Sequence, residues 1–277
     1  MKKPIIALMY DFDKTLCTKD MQEYSFIPRV NMESKDFWNE VNKLAKNDKM
    51  DSILAYMYYM LKKARAENVP IRENDFKEAG KNIELFKGVD TFFDKMNAFG
   101  ESIGVEIEHY IISSGLKEII EGSQLKDVFK EIYACNFHYD VNGVADWPSL
   151  VVNYTNKTQF LFRINKGVLK INEDTPLNEY VSKDERRIPF RNMIYIGDGL
   201  TDVPCMKLVK EHGGYSIAVY TQKERASKLL EDGRVNYIFE ANYEEDSELV
   251  KTLKLILSKM NVEDKLVDMH QQQYTQK

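Results

Sequence analysis

An apolar segment near the start of the chain is followed at once by two acidic residues. Residues 4–10 are almost all apolar, which is typical of a strand buried on both faces of a parallel sheet. Asp11 and Asp13 come directly after it. Because open α/β sheets bind ligands beyond the carboxyl ends of their strands, both carboxylates are expected at a functional edge. Two such carboxylates repel each other, and a hard divalent ion would keep Asp11 ionised while Asp13 carries a proton.

From Gly88 onward, helical and extended patterns alternate along the chain. Such alternation predicts an α/β fold with a doubly wound parallel sheet that also includes the first strand. An amphipathic helix is predicted around residues 249–260, and the polar tail at 270–277 is expected to fray. The charged segment 165–192 is too poorly periodic to assign. Further strands are predicted at 107–112, 193–196, 216–220 and 237–239.

The roughly 70 residues between Leu16 and Leu85 have helical spacing and no clear strand. The clearest helix is predicted at 51–67, where Tyr56 and Tyr59 fall outside the expected buried face. This pattern predicts an α/β core formed by residues 1–17 and 86–277, with a helical unit inserted at 18–85. The expected buried face consists of Ile53, Leu54, Met57, Tyr58 and Leu61.

Size, charge and cysteine content narrow the class of protein. The 277 residues suffice for one large core with a smaller appended unit. A formal net charge of -5 gives no general attraction to nucleic acid or anionic membranes, so neither is expected as a partner. Cys17, Cys135 and Cys205 are odd in number and widely spaced, which predicts neither a disulfide framework nor a zinc site. No run approaches the roughly 20 apolar residues of a membrane span. A cytoplasmic protein is therefore expected.

Ser113 and Ser114 stand at the predicted end of the 107–112 strand, before a helix predicted at 116–120. A hydroxyl in such a place, beside the backbone donors of a helix, suits a phosphate oxygen. Either serine is a candidate for this role. The alternative is a Ser-Ser-Gly turn that binds nothing.

Lys157 begins a predicted helix that ends near Gly167, with Asn156 or Thr155 as its cap. A lysine in the first turn opposes the helix dipole at a cost of a few tenths of a kcal/mol. Lys157 is therefore a candidate for balancing the charge of a phosphoryl group. The alternative is an ordinary solvated lysine.

The segment from Gly197 to Asp202, with the sequence GDGLTD, follows the predicted strand at 193–196. The glycines beside Asp198 let the backbone turn sharply and bring its carboxylate inward. Magnesium prefers oxygen ligands and keeps several waters, so a few carboxylates and a substrate phosphate would suffice to bind it. An Asp-Gly turn without metal is the alternative.

Taken together, these groups occur in the order in which successive βα units would present them, and they are the groups that phosphoryl transfer needs. On these segments the sequence resembles the haloacid dehalogenase superfamily, in its phosphatase branch. DFDKTL, at residues 11–16, is similar to the first motif of that family. Ser113 corresponds to the second motif, Lys157 to the third, and Asp198 with Asp202 to the fourth.

The resemblance implies a Rossmann-type core with a helical cap between the first two motifs, and a magnesium-dependent phosphatase acting on a small-molecule phosphomonoester. Asp11 would be the nucleophile that forms an aspartyl-phosphate. Asp13 would protonate the departing alcohol and then deprotonate the incoming water. The backbone carbonyl of Asp13 would join the Asp11 and Asp198 carboxylates around Mg²⁺, with Asp202 bound directly or through water.

The resemblance also implies how substrate is held. Ser113 and Lys157 would bind the phosphoryl oxygens, and Thr15 would help to position them. A phosphoserine phosphatase usually has two glycines after its motif-two serine, whereas Ser114 comes first here, which weakens an amino-acid phosphate as substrate. The candidates for substrate contact in the cap are Trp38, Tyr56, Tyr58, Tyr59 and Arg65.

Three alternative functions stay open at this point. A phosphotransferase or mutase would pass the phosphoryl group from Asp11 to another hydroxyl. A receiver-like regulatory module would only store the acyl phosphate, although such a module has no obvious need for Asp13 or a cap. The cap would also suit docking of another protein on the side carrying Tyr56 and Tyr59.

Overall fold

The computed structural model describes residues 3–182 and 185–275, and the described part contains one seven-stranded sheet. The strand order is β4-β3-β2-β1-β5-β6-β7, and neighbouring strands run parallel except for the antiparallel pair β3 and β4. The predicted doubly wound α/β fold is confirmed. The strands are Ile5–Tyr10 (β1), Glu106–Leu116 (β2), Glu131–Tyr139 (β3), Ala145–Leu150 (β4), Met193–Gly197 (β5), Tyr215–Tyr220 (β6) and Tyr237–Glu240 (β7).

Strand β1 lies at the centre of the sheet, and all six of its residues are buried. The chain continues from β1 to β2 on one side, while β5 pairs with β1 on the other side. The order of strands therefore reverses at β1, and such a switch point opens a crevice at the carboxyl ends of the strands. The register aligns Tyr10 with Ile111 of β2 and with Ile196 of β5. The residues that follow each of these three positions consequently meet at one edge.

Eleven α-helices lie in the described residues, and four of them precede the second strand as part of the insertion. None of the helices in the two described ranges has the length and apolarity to cross a membrane. The helices are Phe26–Arg29 (α1), Ser34–Asp48 (α2), Ser52–Ala66 (α3), Glu73–Gly80 (α4), Val89–Ile103 (α5), Lys117–Gly122 (α6), Lys157–Lys166 (α7), Asp174–Asn178 (α8), Val203–Glu211 (α9), Lys223–Glu231 (α10) and Glu248–Thr275 (α11).

The insertion that carries α1 to α4 leaves and rejoins the core at adjacent points. The Thr18 N–H donates to the Glu84 carbonyl at 3.0 Å, and the Phe86 N–H donates to the Leu16 carbonyl at 3.0 Å. The two crossing segments therefore form a short paired ribbon.

A second attachment joins α4 of the insertion to α6 of the core. A Cβ atom at Gly80 would lie 2.2 Å from the carbonyl oxygen of Ile119, and one at Gly122 would lie 2.0 Å from that of Lys77. The two helix backbones thus touch at a point where only glycine fits. The insertion is held to the core both by its ribbon and by this helix contact.

The prediction of which side chains of α3 are buried is wrong for two tyrosines, Tyr56 and Tyr58. Tyr56 is buried, with 2% of its surface exposed, whereas Tyr58 is 45% exposed. The reason is that α3 packs against α2 and also faces the core, where the Tyr56 hydroxyl donates to the carbonyl of Ser114 at 2.8 Å. A docking surface that uses an exposed Tyr56 is therefore excluded.

The end of β2 differs from the sequence prediction. The strand continues through Leu116, so Ser113 and Ser114 lie within it and not in a turn that opens a helix. Its pairing with β3 becomes irregular between Ile112 and Leu116, which lets the backbone leave the regular ladder near the two serines. Helix α6 begins only at Lys117.

Some other segments were not predicted, or not assigned, from the sequence pattern. The hairpin of β3 and β4 was not predicted, although its turn contains Asn142 and Gly143, a common hairpin signal. The segment at 165–192, which the sequence pattern did not assign, contains α8 and a short 3-10 helix, Phe190–Asn192. The tail expected to fray is helical through Thr275, and residues 276–277 lie outside the described ranges. The three cysteines are buried and free.

Candidate active site

The acids that follow β1 and β5 converge at the carboxyl edge of the sheet. Asp11, Asp198 and Asp202 each offer a carboxylate oxygen, and these three atoms lie within 4.8 Å of one another. The Asp11 N–H donates to the Ile196 carbonyl at 2.9 Å, which fixes the end of β1 against β5. Residues almost 190 positions apart in the sequence therefore form one acidic cluster.

Lys157 lies next to this cluster, and none of its surface is exposed. Its Nζ is 3.3 Å from Asp11 Oδ1 and 2.8 Å from Asp202 Oδ1. Burial lowers the pKa of Lys157, but the adjacent Asp11 and Asp202 carboxylates more than offset this and raise it above its ordinary value. Lys157 is therefore a buried cation, and the alternative of a solvated surface lysine is excluded.

The start of helix α7 positions Lys157. Asn156 is the N-cap residue, which was one of the two predicted candidates, but its side chain makes no cap hydrogen bond. Instead the side-chain carbonyl of Asn153 accepts hydrogen bonds from the N–H groups of Thr155 and Asn156, at 3.1 and 2.9 Å. This turn directs the first residue of α7 into the protein interior.

Both carboxylate oxygens of Asp202 have protein partners. Oδ1 accepts from the Tyr195 hydroxyl at 2.8 Å in addition to Lys157, and Oδ2 accepts from the Gly199 N–H at 3.3 Å. A Cβ atom at Gly197 would lie 2.5 Å from Asp202 Oδ2, so this close approach requires glycine. Asp202 is thus held in place by donors on several sides.

The cluster contains more negative than positive charge. Burial raises the pKa of Asp11 and of Asp198, and repulsion from Asp202 raises both further. Lys157 lowers them only in part. A cation among these oxygens would relieve the repulsion and keep the carboxylates ionised. The donor set consists of hard oxygen atoms, which suits Mg²⁺, and Asp202 fits better through water because its oxygens are already bonded.

Asp13 lies beside the cluster and is positioned by the start of the insertion. The Met21 N–H donates to Asp13 Oδ1 at 3.0 Å. Burial raises the pKa of Asp13 well above its ordinary value, and the nearby Asp20 and Asp11 carboxylates raise it further. These surroundings favour the protonated form of Asp13 more than water does, which is the direction that a general acid needs.

The three predicted hydroxyl groups differ in their surroundings. Ser113 is fully buried, and its Oγ accepts from the Gly115 N–H at 3.0 Å. Ser113 and Ser114 line the same cavity as Asp11, Asp13 and Asp198. Thr15 is buried but is not among the lining residues; its Oγ1 has no partner in the described part of the chain.

The cavity has a volume of about 360 Å³ and lies between the sheet edge and the insertion. Of the predicted cap contacts, Trp38 and Tyr56 line it, whereas Tyr58, Tyr59 and Arg65 do not. Several further residues line the cavity that the sequence pattern did not mark as contacts. Lys14 lies within the first motif and Ile53 on the predicted buried face of α3, but neither was assigned a role at the site. The others belong to no motif; they are Asp20, Gln22, Val41, Asn42, Ser52 and Arg225.

Comparison with known proteins agrees with this geometry. The model of the haloacid dehalogenase-like hydrolase family matches residues 8–207, which include every site residue predicted from the sequence. The chain belongs to this hydrolase family. The resemblance inferred from the motifs is therefore confirmed.

Similar proteins match most of the length of this hydrolase. An uncharacterized protein of Borreliella burgdorferi is 29% identical over 276 residues, covering 90% of this chain and 95% of its own. A phosphoserine phosphatase solved as a phospho-aspartyl intermediate analogue has a TM-score of 0.55 at 16% identity, covering 92% of this chain and 99% of its own. A HAD family hydrolase of Salmonella enterica serovar Typhi has a TM-score of 0.58 at 16% identity, covering 87% of this chain and 69% of its own.

Proposed function

We propose that this hydrolase is a magnesium-dependent phosphatase that cleaves a small-molecule phosphomonoester through an aspartyl-phosphate. The observation that carries the proposal is the meeting of Asp11, Asp198 and the buried Lys157 within one cluster, beside Asp13, whose pKa is raised by burial. These are the groups needed to attack phosphorus, balance its charge and protonate a leaving group. The similar fold of a phosphoserine phosphatase captured as a phospho-aspartyl analogue supports the same chemistry.

In the first step, a carboxylate oxygen of Asp11 forms a bond to phosphorus while the bond from phosphorus to the alcohol oxygen breaks. Asp13 transfers its proton to the departing oxygen. In the second step, water attacks the phosphorus of the aspartyl-phosphate, Asp13 takes the proton from that water, and the carboxylate of Asp11 is released. The enzyme and its proton are thus restored after one turnover.

The Asp11 and Asp198 carboxylates and the backbone carbonyl of Asp13 would hold Mg²⁺, with Asp202 engaged through water. When bound, the ion neutralises charge on the phosphoryl oxygens. Lys157 supplies a second positive charge at 3.3 Å from Asp11 Oδ1. In the proposal, Ser113 or Ser114 donates a hydrogen bond to a phosphoryl oxygen and Thr15 helps to position the group.

We also propose that residues 18–85 act as a cap. The Tyr56 hydroxyl joins α3 of this unit to the backbone of Ser114, and Trp38 of α2 lines the cavity. A cap that closes over the reacting groups excludes water and selects the leaving group. A cytoplasmic location is in keeping with the three buried free cysteines.

The test is hydrolysis of 4-nitrophenyl phosphate with Mg²⁺ and with a chelator. Asp11→Asn is expected to abolish turnover, because a neutral amide does not form the acyl phosphate. Asp90→Asn, which changes an exposed aspartate on α5, is the matched control and keeps full turnover. Circular dichroism confirms that both variants fold.

A folded Asp11→Asn variant with wild-type turnover would disprove the assignment of the nucleophile. Loss of activity with the chelator is expected, and equal rates with and without Mg²⁺ would refute the metal requirement. Adding an alcohol as a competing acceptor distinguishes a phosphatase from a phosphotransferase. Phosphorylated alcohol as the main product would favour a phosphotransferase over a phosphatase.

A further inference from the structure

Three buried polar atoms on residues lining the cavity have no hydrogen-bond partner within residues 3–182 and 185–275. They are Gln22 Oε1, Trp38 Nε1 and Ser114 Oγ. Gln22 is 2% exposed, so water reaches its side chain little. Buried polar atoms almost always have a partner, and leaving one unpaired costs about 1–3 kcal/mol. Three of them around one cavity indicate a ligand that supplies the missing partners.

The three atoms differ in what they require. Trp38 Nε1 is an N–H donor only, so its partner must accept a hydrogen bond. Gln22 Oε1 is an acceptor, so its partner must donate one. Ser114 Oγ can do either and lies near the phosphoryl end of the cavity. Trp38 therefore calls for an acceptor on the ligand and Gln22 for a donor, and an amide provides both.

The wall around these atoms is largely apolar and aromatic. The rings of Trp38 and Tyr56 meet edge to face, with centroids 6.0 Å apart and an interplanar angle of 69°. Val41 and Ile53 line the same cavity. Such a wall favours a planar or ring-bearing ligand, because it buries apolar faces against the two aromatic side chains.

The charged residues of the lining do not suit a leaving group that carries an ammonium group. Asp11, Asp13 and Asp198 belong to the reacting end. Lys14 and Asp20 already pair with each other, with Nζ 2.6 Å from Oδ2. The remaining charged residue among the described lining residues is Arg225, which is exposed on α10. An amino-acid phosphate would need a carboxylate for its ammonium group as well as a cation for its carboxylate.

We propose that the leaving group of the substrate is a ring-bearing alcohol without an ammonium group and with an amide-like donor and acceptor, bound by Gln22 Oε1 and Trp38 Nε1. This proposal rests on the phosphatase function proposed above and names the class of its substrate. Gln22 and Trp38 are then specificity-determining residues, while Tyr56 shapes the wall beside them.

The test compares three phosphate esters in the full-length protein with Mg²⁺. Phenyl phosphate has a ring without the amide, 4-acetamidophenyl phosphate adds the amide, and phosphoserine carries two charges. The ratio of kcat/KM for the amide ester to that for phenyl phosphate is expected to be roughly 3 to 10 or more, the gain from one or two neutral hydrogen bonds. Phosphoserine is expected to be the poorest substrate.

The variants Trp38→Phe and Gln22→Met remove one polar partner each while keeping similar size. Each is expected to lower that ratio by roughly 3- to 10-fold. Trp147→Phe is the matched control, since Trp147 lies on β4 outside the cavity and is 69% exposed, and it leaves the ratio unchanged. Circular dichroism verifies folding of each variant.

The outcomes separate the two proposals. If phenyl phosphate is hydrolysed, the phosphatase function is supported, and three results would each overturn the leaving-group assignment. They are a kcat/KM ratio near 1, a preference for phosphoserine, and the same ratio in wild type and both cavity variants. No hydrolysis of any of the three esters by the folded, magnesium-loaded protein overturns the phosphatase and this assignment with it.

Discussion

The ammonium group of Lys157 balances part of the charge of three carboxylates in the candidate site. Its position between Asp11 and Asp202 leaves Asp198 without an ion-pair partner in the described part of the chain, although the nearby Lys14 also lowers its pKa. Burial and repulsion raise the pKa of Asp198, so the protein alone does not favour its ionised form. The side chains thus form a site that a divalent cation would complete, as the proposed magnesium dependence requires.

At the same scale, Asp13 is expected to matter most when the leaving group is a poor one. Asp13→Asn removes the acid, and general acid catalysis typically contributes about 10²- to 10⁴-fold. We expect a loss of about 100-fold or more in kcat/KM with an alkyl phosphate and a clearly smaller loss with 4-nitrophenyl phosphate, whose leaving group needs little protonation. Steady-state kinetics over a series of esters measures this, and equal losses across the series would contradict the acid role.

The reacting residues could be predicted because each one follows a buried strand or begins a helix within a short motif. Asp11 and Asp198 have that local signal. Gln22 and Trp38 have none, because each is brought to the cavity by the packing of the insertion on the core. Lys157 is intermediate: its sequence position suggested a role, but only the fold showed that it is fully buried.

At the scale of elements, strand β2 and helix α3 are joined by one hydrogen bond that crosses the cavity wall. The Tyr56 hydroxyl donates to the backbone carbonyl of Ser114, one residue beyond Ser113. The insertion is thereby coupled to the end of a central strand. Any change in the position of α3 would therefore change the position of the two serines that line the cavity.

Tyr56→Phe removes this bond without removing the ring. A net hydrogen bond contributes about 0.5–1.5 kcal/mol, so the closed arrangement loses about that much and kcat/KM for an aryl phosphate is expected to fall about 3- to 10-fold. Tyr58→Phe, on the same helix with its side chain 45% exposed, is the matched control. Equal kcat/KM values for the two variants, measured with both proteins folded, would show that the contact has no part in turnover.

The core elements were largely predictable, because β1, β5, β6 and β7 have short apolar runs between helical patterns. Strand β4 was not, since it lies at the sheet edge with alternating exposure. Strand β3 does contain an apolar run at 132–135, which the interpretation of the sequence passed over. The irregular end of β2 also had no sequence signal. Its extension through Leu116 depends on pairing with β3, a tertiary effect that local pattern does not contain.

At the scale of the whole molecule, the centre of the sheet contains a histidine that couples stability to pH. His109 of β2 is 3% exposed, with Nδ1 3.0 Å from the Tyr10 hydroxyl and Nε2 3.0 Å from Asn97 Oδ1. A neutral ring satisfies both neighbours, since one nitrogen accepts from the hydroxyl and the other donates to the amide oxygen. Burial lowers the pKa of His109 to about 3.

The folded protein therefore binds a proton at His109 less readily than the unfolded chain does, whose histidine has its ordinary pKa of about 6.5. Between these values the unfolded state holds more protons, so stability rises with pH and is lost as pH falls. We expect His109 to lower the free energy of unfolding by about 2 kcal/mol between pH 7 and pH 5. Urea unfolding at both values measures this.

His109→Gln does not titrate and is expected to abolish this part of the pH dependence. His138→Gln changes an exposed histidine on β3 and should preserve the wild-type slope. If the difference between pH 7 and pH 5 is the same in His109→Gln as in wild type, protonation at the centre of the sheet does not explain the pH dependence.

The two attachments of the insertion constrain how the site can open. A unit attached at two separate points can rotate only about the line that joins the two points. Here the line passes through the backbone pairing of Thr18 with Glu84 and the glycine contact between α4 and α6. Rotation about this line would move α3 away from β2, so the hydrogen bond from the Tyr56 hydroxyl to the Ser114 carbonyl would have to break before a molecule could enter beside α3.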